Sequence, residues 1–264
     1  MRAVIVGSGS VVAQRVIEAL AARGAEVAGI DITVFDHPAL RASLVADMSD
    51  EREADAAVDE AAAVLGGLDV LVTGAANQQY ERLGATTARS FREVVTGTLD
   101  TTFFAMRAAL RHLGPGGAIV AISSVNAYLA HPGASAYAAS KGAINALVTQ
   151  AALDYAPRGI RVNAVAPALI DGFPDTDLAA GYPMGRTPTS REVADAVAFL
   201  ASPQASGITG VILPVDAGLS ITSPAALLRP ALRERLFADV PAARAENPPA
   251  PHTDDLAGAR KGRG

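Results

Sequence analysis

Cysteine is missing from all 264 residues, and so is tryptophan. Without a thiol the chain can build no disulfide framework, no zinc–thiolate site, no Fe–S cluster and no cysteine nucleophile. Histidine is scarce: His37, His112, His131 and His252 lie scattered, with no ligand spacing. They read as loop or surface residues, and no metal is expected. Long apolar runs are lacking as well. No apolar run of ~18 residues free of charge exists, so no membrane span is expected. Basic runs are absent and the net charge is −5, which argues against nucleic acid as the main partner. Charged residues make up only 19% while half the chain is hydrophobic, which excludes a disordered chain. Met1-Arg2 leads straight into Ala3-Val4-Ile5-Val6-Gly7 with no signal-peptide core before it, and a cytoplasmic protein is expected. Lysine is nearly absent: of 22 Lys and Arg residues, only Lys141 and Lys261 are lysines. Genomic base composition is one cause. The other is that position 141 calls for an amine and not a guanidinium.

What is present is a strict alternation. Ala3–Val6, Glu26–Ile30, Ser43–Ala46, Val70–Thr73, Ala118–Ile122, Arg161–Val165 and Val211–Leu213 read as strands. They are uniformly apolar, as the buried strands of a parallel sheet are. Val11–Ala22, Glu51–Leu65, Thr87–Leu113, Ala134–Tyr155 and Ser190–Ala201 read as helices. This order predicts βαβ units with helices on both faces: an α/β, doubly wound Rossmann-type domain with a parallel sheet of about seven strands. Length alone allows one domain or two. No linker interrupts 1–220, so those residues are read as one dinucleotide-binding and catalytic domain. Residues 221–264 form a C-terminal extension. In it, 224–240 are a possible amphipathic helix with Leu227, Leu228, Leu232 and Leu236 on one stripe and Pro230 kinking or limiting it. From Pro241 the Ala/Pro/Arg/Asp composition predicts a disordered tail.

The first strand ends in Gly7-Ser8-Gly9-Ser10, with Val12 in the apolar helix behind it. A glycine turn at a helix N-terminus lets backbone N–H groups approach a pyrophosphate. Many strand-to-helix turns contain glycine, so the turn alone is weak. The second strand ends at Asp31, whose carboxylate suits ribose hydroxyls and repels a 2′-phosphate; no Arg or Lys stands beside it. The plain alternative is a solvated strand-end carboxylate. Together these residues point to a dinucleotide, NAD. A second constellation is Ser124, Tyr137 and Lys141. Tyr137 and Lys141 are four apart in a helical segment and share a face. A nearby ammonium stabilises phenolate, which predicts a Tyr137 pKa drawn down from ~10 towards neutrality and a usable acid or base. Ser124 follows a strand at the carboxyl edge of the sheet, where ligands of open α/β folds bind. The alternative is an ordinary i,i+4 pair on an exposed helix and an ordinary strand-end Ser.

With these residues assembled, the chain resembles the short-chain dehydrogenases/reductases over about residues 1–220. The glycine turn at Gly7, Ala46-Asp47-Met48, Leu68-Asp69-Val70-Leu71-Val72, Ile122-Ser123-Ser124, the Tyr137/Lys141 pair, Gly159 to Pro167, Ile208-Thr209-Gly210 and Val215 to Gly218 carry the resemblance. It implies that Tyr137 is the catalytic acid/base, that Lys141 lowers its pKa and binds the nicotinamide ribose, and that Ser124 orients the substrate oxygen. It also implies that Asp47 meets the adenine amino group with Met48 beside it. Gly74 and Ala75 would line the adenosine side, and Ile170 would bind the carboxamide through its backbone.

Four departures stand out. Val11 and Ala13 replace glycines of the turn, which predicts a loop reshaped around Gly9. Thr73-Gly74-Ala75-Ala76 replaces Asn-Asn-Ala-Gly. Thr98 falls where the family has an Asn that holds a water in a proton relay. Pro167-Ala168-Leu169-Ile170-Asp171-Gly172 lacks the Gly and Thr of the usual motif. Gln78, Gln79, Tyr80, Asn126, Tyr128 and residues 168–184 should surround the nicotinamide. Gln78 and Asn126 suit a hydroxylated substrate, or they merely cap loops. The expected function is an NAD(H)-dependent oxidoreductase interconverting a secondary alcohol and a ketone. The alternatives are a 3-oxoacyl-type reductase and a non-enzymatic dinucleotide-binding or scaffold protein. The expected partners are a small-molecule alcohol or ketone and further copies of the chain. The resemblance implies a homotetramer or dimer packed through Thr87–Leu113 and Ala134–Tyr155, and these segments are rich in Ala and poor in charge.

Overall fold

Runs of Val, Ile, Leu and Ala suit a pleated surface buried on both faces. In the computed structural model, which describes residues 1–170, 180–223 and 229–238, they form seven strands. These are β1 (Arg2–Val6), β2 (Glu26–Asp31), β3 (Leu40–Val45), β4 (Val70–Thr73), β5 (Ala118–Ile122), β6 (Arg161–Pro167) and β7 (Ile212–Val215). Every pairing is parallel, in the order β3-β2-β1-β4-β5-β6-β7. The order reverses between β1 and β4, the crevice where open α/β sheets take their ligands. The expectation that all strands are buried fails at the margins. β3 and β7 are edge strands and remain largely half-exposed, because each has a neighbour on one side only.

The helices begin where the sequence supplies caps. Ser10 opens α1 (Val11–Ala21), accepting from the Ala13 amide at 3.3 Å. Asp50 opens α2 (Glu51–Leu65), accepting from the Arg52 and Glu53 amides, and Gly66 closes it in the left-handed region. Thr87 caps α3 (Ala88–Val95). α4 (Thr101–Ala109), α5 (Ser135–Tyr155) and α6 (Ser190–Ala201) complete the layers. α1 packs on α6, while α2, α4 and α5 share the hydrophobic core on the other face of the sheet. A ladder of charge joins α2 to the region of α4. Arg107 reaches Glu51 and Asp55, and Arg111 reaches Asp55 and Asp59, with His112 also on Asp59 at 2.6 Å.

The single helix expected over Thr87–Leu113 is broken. Residues Thr96–Asp100 form a π-helical turn between α3 and α4. Threonine side chains hold it open: the Thr101 and Thr102 hydroxyls both donate to the Thr98 carbonyl, at 3.1 and 3.0 Å. Gly97 leaves room beside it, since a Cβ there would stand 2.9 Å from the Asn77 Cβ.

The described chain gathers into two units. The first comprises Met1–Pro167 and Ser190–Val215 and holds the whole sheet with α1 to α6. The second gathers residues 168–189 with the chain from Asp216. Within it, the Asp216 carboxylate accepts from the Gly218 and Ser220 amides, fixing a tight turn. A helix α7 (Pro230–Phe237) follows. Pro230 is its first residue, so it neither kinks nor ends the helix: its missing N–H is one a first turn does not need. Leu232 is half-buried and Leu236 exposed. Leu227 and Leu228, the remainder of the expected 224–240 helix and the expected tail lie outside the described residues. Among the described residues no helix is long and apolar enough to cross a membrane, and no cluster of His, Asp and Glu is arranged to hold a metal ion.

Candidate active site

The glycine turn sits at the carboxyl end of β1, beside β4. Gly7 has φ +79°, and its amide donates to the Ile30 carbonyl at 2.8 Å. A Cβ on Gly7 would lie 2.5 Å from the Ala75 nitrogen, so only glycine lets the two loops touch. Gly74 in turn donates to the Val6 carbonyl at 2.8 Å. Gly7, Gly74 and Ala75 therefore form one contact, as the expected adenosine side requires. Gly9 donates its amide to Asp31 at 2.8 Å, and the other Asp31 oxygen accepts from the Ile32 amide. Asp31 and the turn are thus brought together. Gln14 donates to the Gly9 carbonyl at 3.0 Å and steadies the loop from inside α1. Val11 is 55% exposed and Val12 half-buried, so the branched residue in place of glycine is seated without crowding the turn.

Ser8 behaves differently from its neighbours. Its side chain is wholly buried over Gly29, and its hydroxyl has no hydrogen-bond partner among the described residues. The Thr73 hydroxyl at the end of β4 is buried and unpartnered in the same way. Asp47 turns back on its own chain: its Oδ1 accepts from the Ser49 amide and hydroxyl, and its amide donates to Glu53. Met48 is buried beside it. Glu53 thus bypasses the amide of the Asp50 cap, which donates to the Asp47 carbonyl instead. Ile170 belongs to the second unit.

Ser124, Tyr137 and Lys141 come from two elements. β5 runs out through Ser123 and Ser124, and Ser124 caps a short 3₁₀ turn, accepting from the Asn126 amide at 3.1 Å. Its own O–H is left to donate elsewhere. α5 places Tyr137 and Lys141 one turn apart, and both are buried. Lys141 Nζ donates to the Ile122 carbonyl at 2.7 Å and lies 5.6 Å from the centre of the Tyr137 ring. This bond pins α5 to the carboxyl end of β5. Burial, with no carboxylate paired to it among the described residues, lowers the Lys141 pKa to about 8.

The expected lowering of the Tyr137 pKa is not found. Burial raises it, and the hydrogen bonds that the Gln78 and Ser124 side chains offer the phenol oxygen offset this only in part. The reason is geometric. The Lys141 ammonium is engaged by the Ile122 carbonyl and does not figure among the groups that shift the phenol.

Thr98 is fully buried in the π turn. Its hydroxyl accepts from the Asn77 amide at 2.9 Å and faces the Asn77 carbonyl at 3.3 Å. It is engaged by the backbone of the loop that carries Gln78.

The family described as enoyl-(acyl carrier protein) reductase matches residues 7–220. Cis-4-hydroxycyclohexanecarboxylate dehydrogenase of Sinomonas cyclohexanicum is 36% identical over 240 residues, covering 82% of this chain and 95% of the relative. The ligand-free structure of Thermoplasma acidophilum aldohexose dehydrogenase is 30% identical with a TM-score of 0.81, covering 84% of this chain and 95% of that one. The 3-ketoacyl-(acyl-carrier-protein) reductase of Brucella melitensis, solved with NADH, is 28% identical with a TM-score of 0.75, covering 83% and 98%.

Proposed function

Because the chain belongs to the short-chain dehydrogenase/reductase family, we propose that it is an NAD(H)-dependent enzyme interconverting a secondary alcohol and a ketone. One observation carries this reading: β5 and α5 bring Ser124, Tyr137 and Lys141 to the carboxyl end of the sheet, with the Lys141 ammonium on the Ile122 carbonyl and 5.6 Å from the centre of the Tyr137 ring. The residues at the β1–β4 crevice fit a dinucleotide. Gly7 and Gly74 have no side chain to fill the crevice, and Asp31 hydrogen-bonds the turn at Gly9. Asp31, without a cation beside it, favours NAD over NADP. Bound there, the nicotinamide supplies the hydride acceptor or donor.

The protein's own part is to orient the substrate and move a proton. Ser124 donates to the substrate oxygen. Tyr137 gives that oxygen its proton during ketone reduction and takes it back during alcohol oxidation. Lys141, held on Ile122 and 5.6 Å from the centre of the Tyr137 ring, would bind the nicotinamide ribose. Thr98 positions the 74–80 loop from its backbone and stands in for the usual Asn. Asp47, Met48, Ala75 and Val12 flank the adenosine end, and Ser8, Ser10 and Ile170 contribute backbone groups. Residues 1–220 act as the catalytic domain, and 221–264 as an appended extension.

The hydroxylated substrates named for the Sinomonas and Thermoplasma proteins support an alcohol of this kind. A reductase of carrier-linked 3-oxoacyl groups is the second reading, favoured by the Brucella neighbour. We also propose a homo-oligomer.

The test is turnover of a panel of secondary alcohols, and of a 3-oxoacyl thioester, with NAD(H) and NADP(H). Tyr137→Phe is expected to lower kcat by about 10²–10⁴-fold, the usual worth of positioned acid–base catalysis, while NADH binding persists. Bound NADH can be followed by fluorescence without an indole background. Near-native turnover by Tyr137→Phe, or equal kcat/KM with NAD and NADP, would overturn the corresponding part.

A further inference from the structure

The face of α5 that carries Tyr137 and Lys141 carries a third polar residue. Tyr137, Lys141 and Asn145 are spaced four apart, so they stand one above the other on the helix. Asn145 is engaged one residue away from Ser124: its Oδ1 accepts from the Ser123 hydroxyl at 2.6 Å. Ser123 is buried, with its hydroxyl also 3.5 Å from the Lys141 carbonyl, while Asn145 is half-buried. The Ser123 amide donates to the Val165 carbonyl at 2.8 Å, just past the Ile122–Val165 pair that ends the β5–β6 register. Two consecutive residues at the exit of β5 are therefore tied to α5, one helical turn apart. Ile122 holds Lys141 through its carbonyl at 2.7 Å, and Ser123 holds Asn145 through its hydroxyl. Ser124 comes next, in an extended conformation, as the cap of the 3₁₀ turn.

We infer that Asn145 is a positioning residue for the proton transfer: through Ser123 it fixes how Ser124 is set against Tyr137. The inference deepens the oxidoreductase reading above and rests on it. A single hydrogen bond is a pivot. With the Lys141–Ile122 bond alone, α5 can rock about that point against the end of β5. At 1.5 Å per residue, Tyr137 lies about 6 Å to one side of the pivot and Asn145 about 6 Å to the other. A rotation of about 10° then carries Tyr137 by about 1 Å, a misplacement that can cost about 10²-fold in rate. The Asn145–Ser123 bond is the second tie, on the arm opposite Tyr137, and it stops that rotation. On the side of β5 it acts on the residue covalently joined to Ser124, so the same bond governs both partners of the site. Lys141 sits at the pivot, where displacement is least. The group expected to bind the nicotinamide ribose therefore stays in place when the second tie is cut, and loss of the tie separates rate from cofactor binding. A contact that only supports the fold would lower the melting temperature and leave the rate below it untouched.

The experiment measures kcat and KM on the secondary alcohol that the unmodified protein turns over fastest, with NADH affinity followed by fluorescence. Ser123→Ala removes the donor and leaves the half-buried Asn145 open to water, so the fold is expected to persist. Asn145→Leu removes the acceptor from the other element. Each is expected to lower kcat by about tenfold or more, with KM and NADH affinity unchanged. The double variant Ser123→Ala/Asn145→Leu should be no slower than the slower single variant, because all three lack the same bond. If Asn145→Leu fails to bind NADH, the split between kcat and NADH affinity in Ser123→Ala decides alone. An unchanged kcat in Ser123→Ala overturns the inference. So does a loss of NADH affinity as large as the loss of kcat, or a double variant whose loss is the product of the two single losses. Each of these leaves the oxidoreductase reading standing. If the unmodified protein turns over no secondary alcohol or ketone with either cofactor, that reading itself fails and takes the inference with it.

Discussion

Lys141 is one of the largest fully buried side chains of the fold, and its ammonium has a single backbone carbonyl for company. The sequence marks it twice, by the four-residue spacing from Tyr137 and by the scarcity of lysine. Neither mark shows how deeply it is buried. That depends on β5 and α5 closing over it, which is a tertiary fact. The consequence is a pH-linked cost. Unfolded, the amine titrates near its ordinary 10.5; folded, near 8. Below pH 8 both states hold the proton and the fold bears the full cost of a buried cation. Above 10.5 neither state does. Between these values the unfolded chain binds more protons, so stability rises with pH, by about 3 kcal/mol across the window. Lys141→Met lacks this titration. Melting curves of the two proteins from pH 7 to 10 should diverge in favour of the unmodified chain as pH rises. Parallel curves would refute the linkage. Tyr137 has the complementary property. Burial holds its phenol protonated at neutral pH, the form that ketone reduction needs.

At the scale of elements, most of the strands and caps could be read from pattern, since apolar runs, Ser10, Asp50, Thr87 and Gly66 each act locally. The π turn could not. Apolar periodicity continues through Thr87–Leu113, and what breaks the helix is the use of hydroxyls. The Thr101 and Thr102 side chains take the carbonyl of Thr98, and the hydroxyl of Thr98 takes a different strand of chain altogether. π turns concentrate at functional sites, and this one anchors the loop after β4 through the Asn77 amide. Thr98→Val keeps the shape and removes the clip. It is expected to lower stability by about 1–2 kcal/mol, for a buried amide left without its acceptor. It should also raise KM for substrate more than it lowers NADH affinity, because the loop after β4 loses its anchor at Asn77. Chemical denaturation with paired KM and NADH titrations checks both. An unchanged KM would reduce the clip to a packing feature.

At the scale of the molecule, the doubly wound order follows from strand–helix alternation, whereas the exposure of its edges does not. β3 and β7 carry apolar residues like the central strands, and only the final order shows that each lacks a second neighbour. The helices raise a similar question. α4 leaves Phe103 43% exposed and α5 leaves Leu153 71% exposed, while its α2-side charges are taken by the ladder to Glu51, Asp55 and Asp59. Apolar rings on a helix whose charges are already paired suit burial against another copy. Light scattering should return a mass that is a multiple of the 26.8 kDa chain, and Phe103→Asp should shift it toward the monomer. A monomeric mass for the unmodified protein would refute assembly.

The place of β1 also governs how the chain comes into being. Val4 and Ile5 are wholly enclosed, with β2 on one side and β4 on the other. During synthesis β2 follows soon after β1, but β4 is completed roughly forty residues later. At ~5–20 residues per second, one edge of this apolar strand waits on the order of seconds for its partner. In that interval it is an open template for a neighbouring nascent chain. Of the strands flanked on both sides, β1 waits longest for its second neighbour, and a crowded polysome is a setting in which this fold is exposed to misassembly.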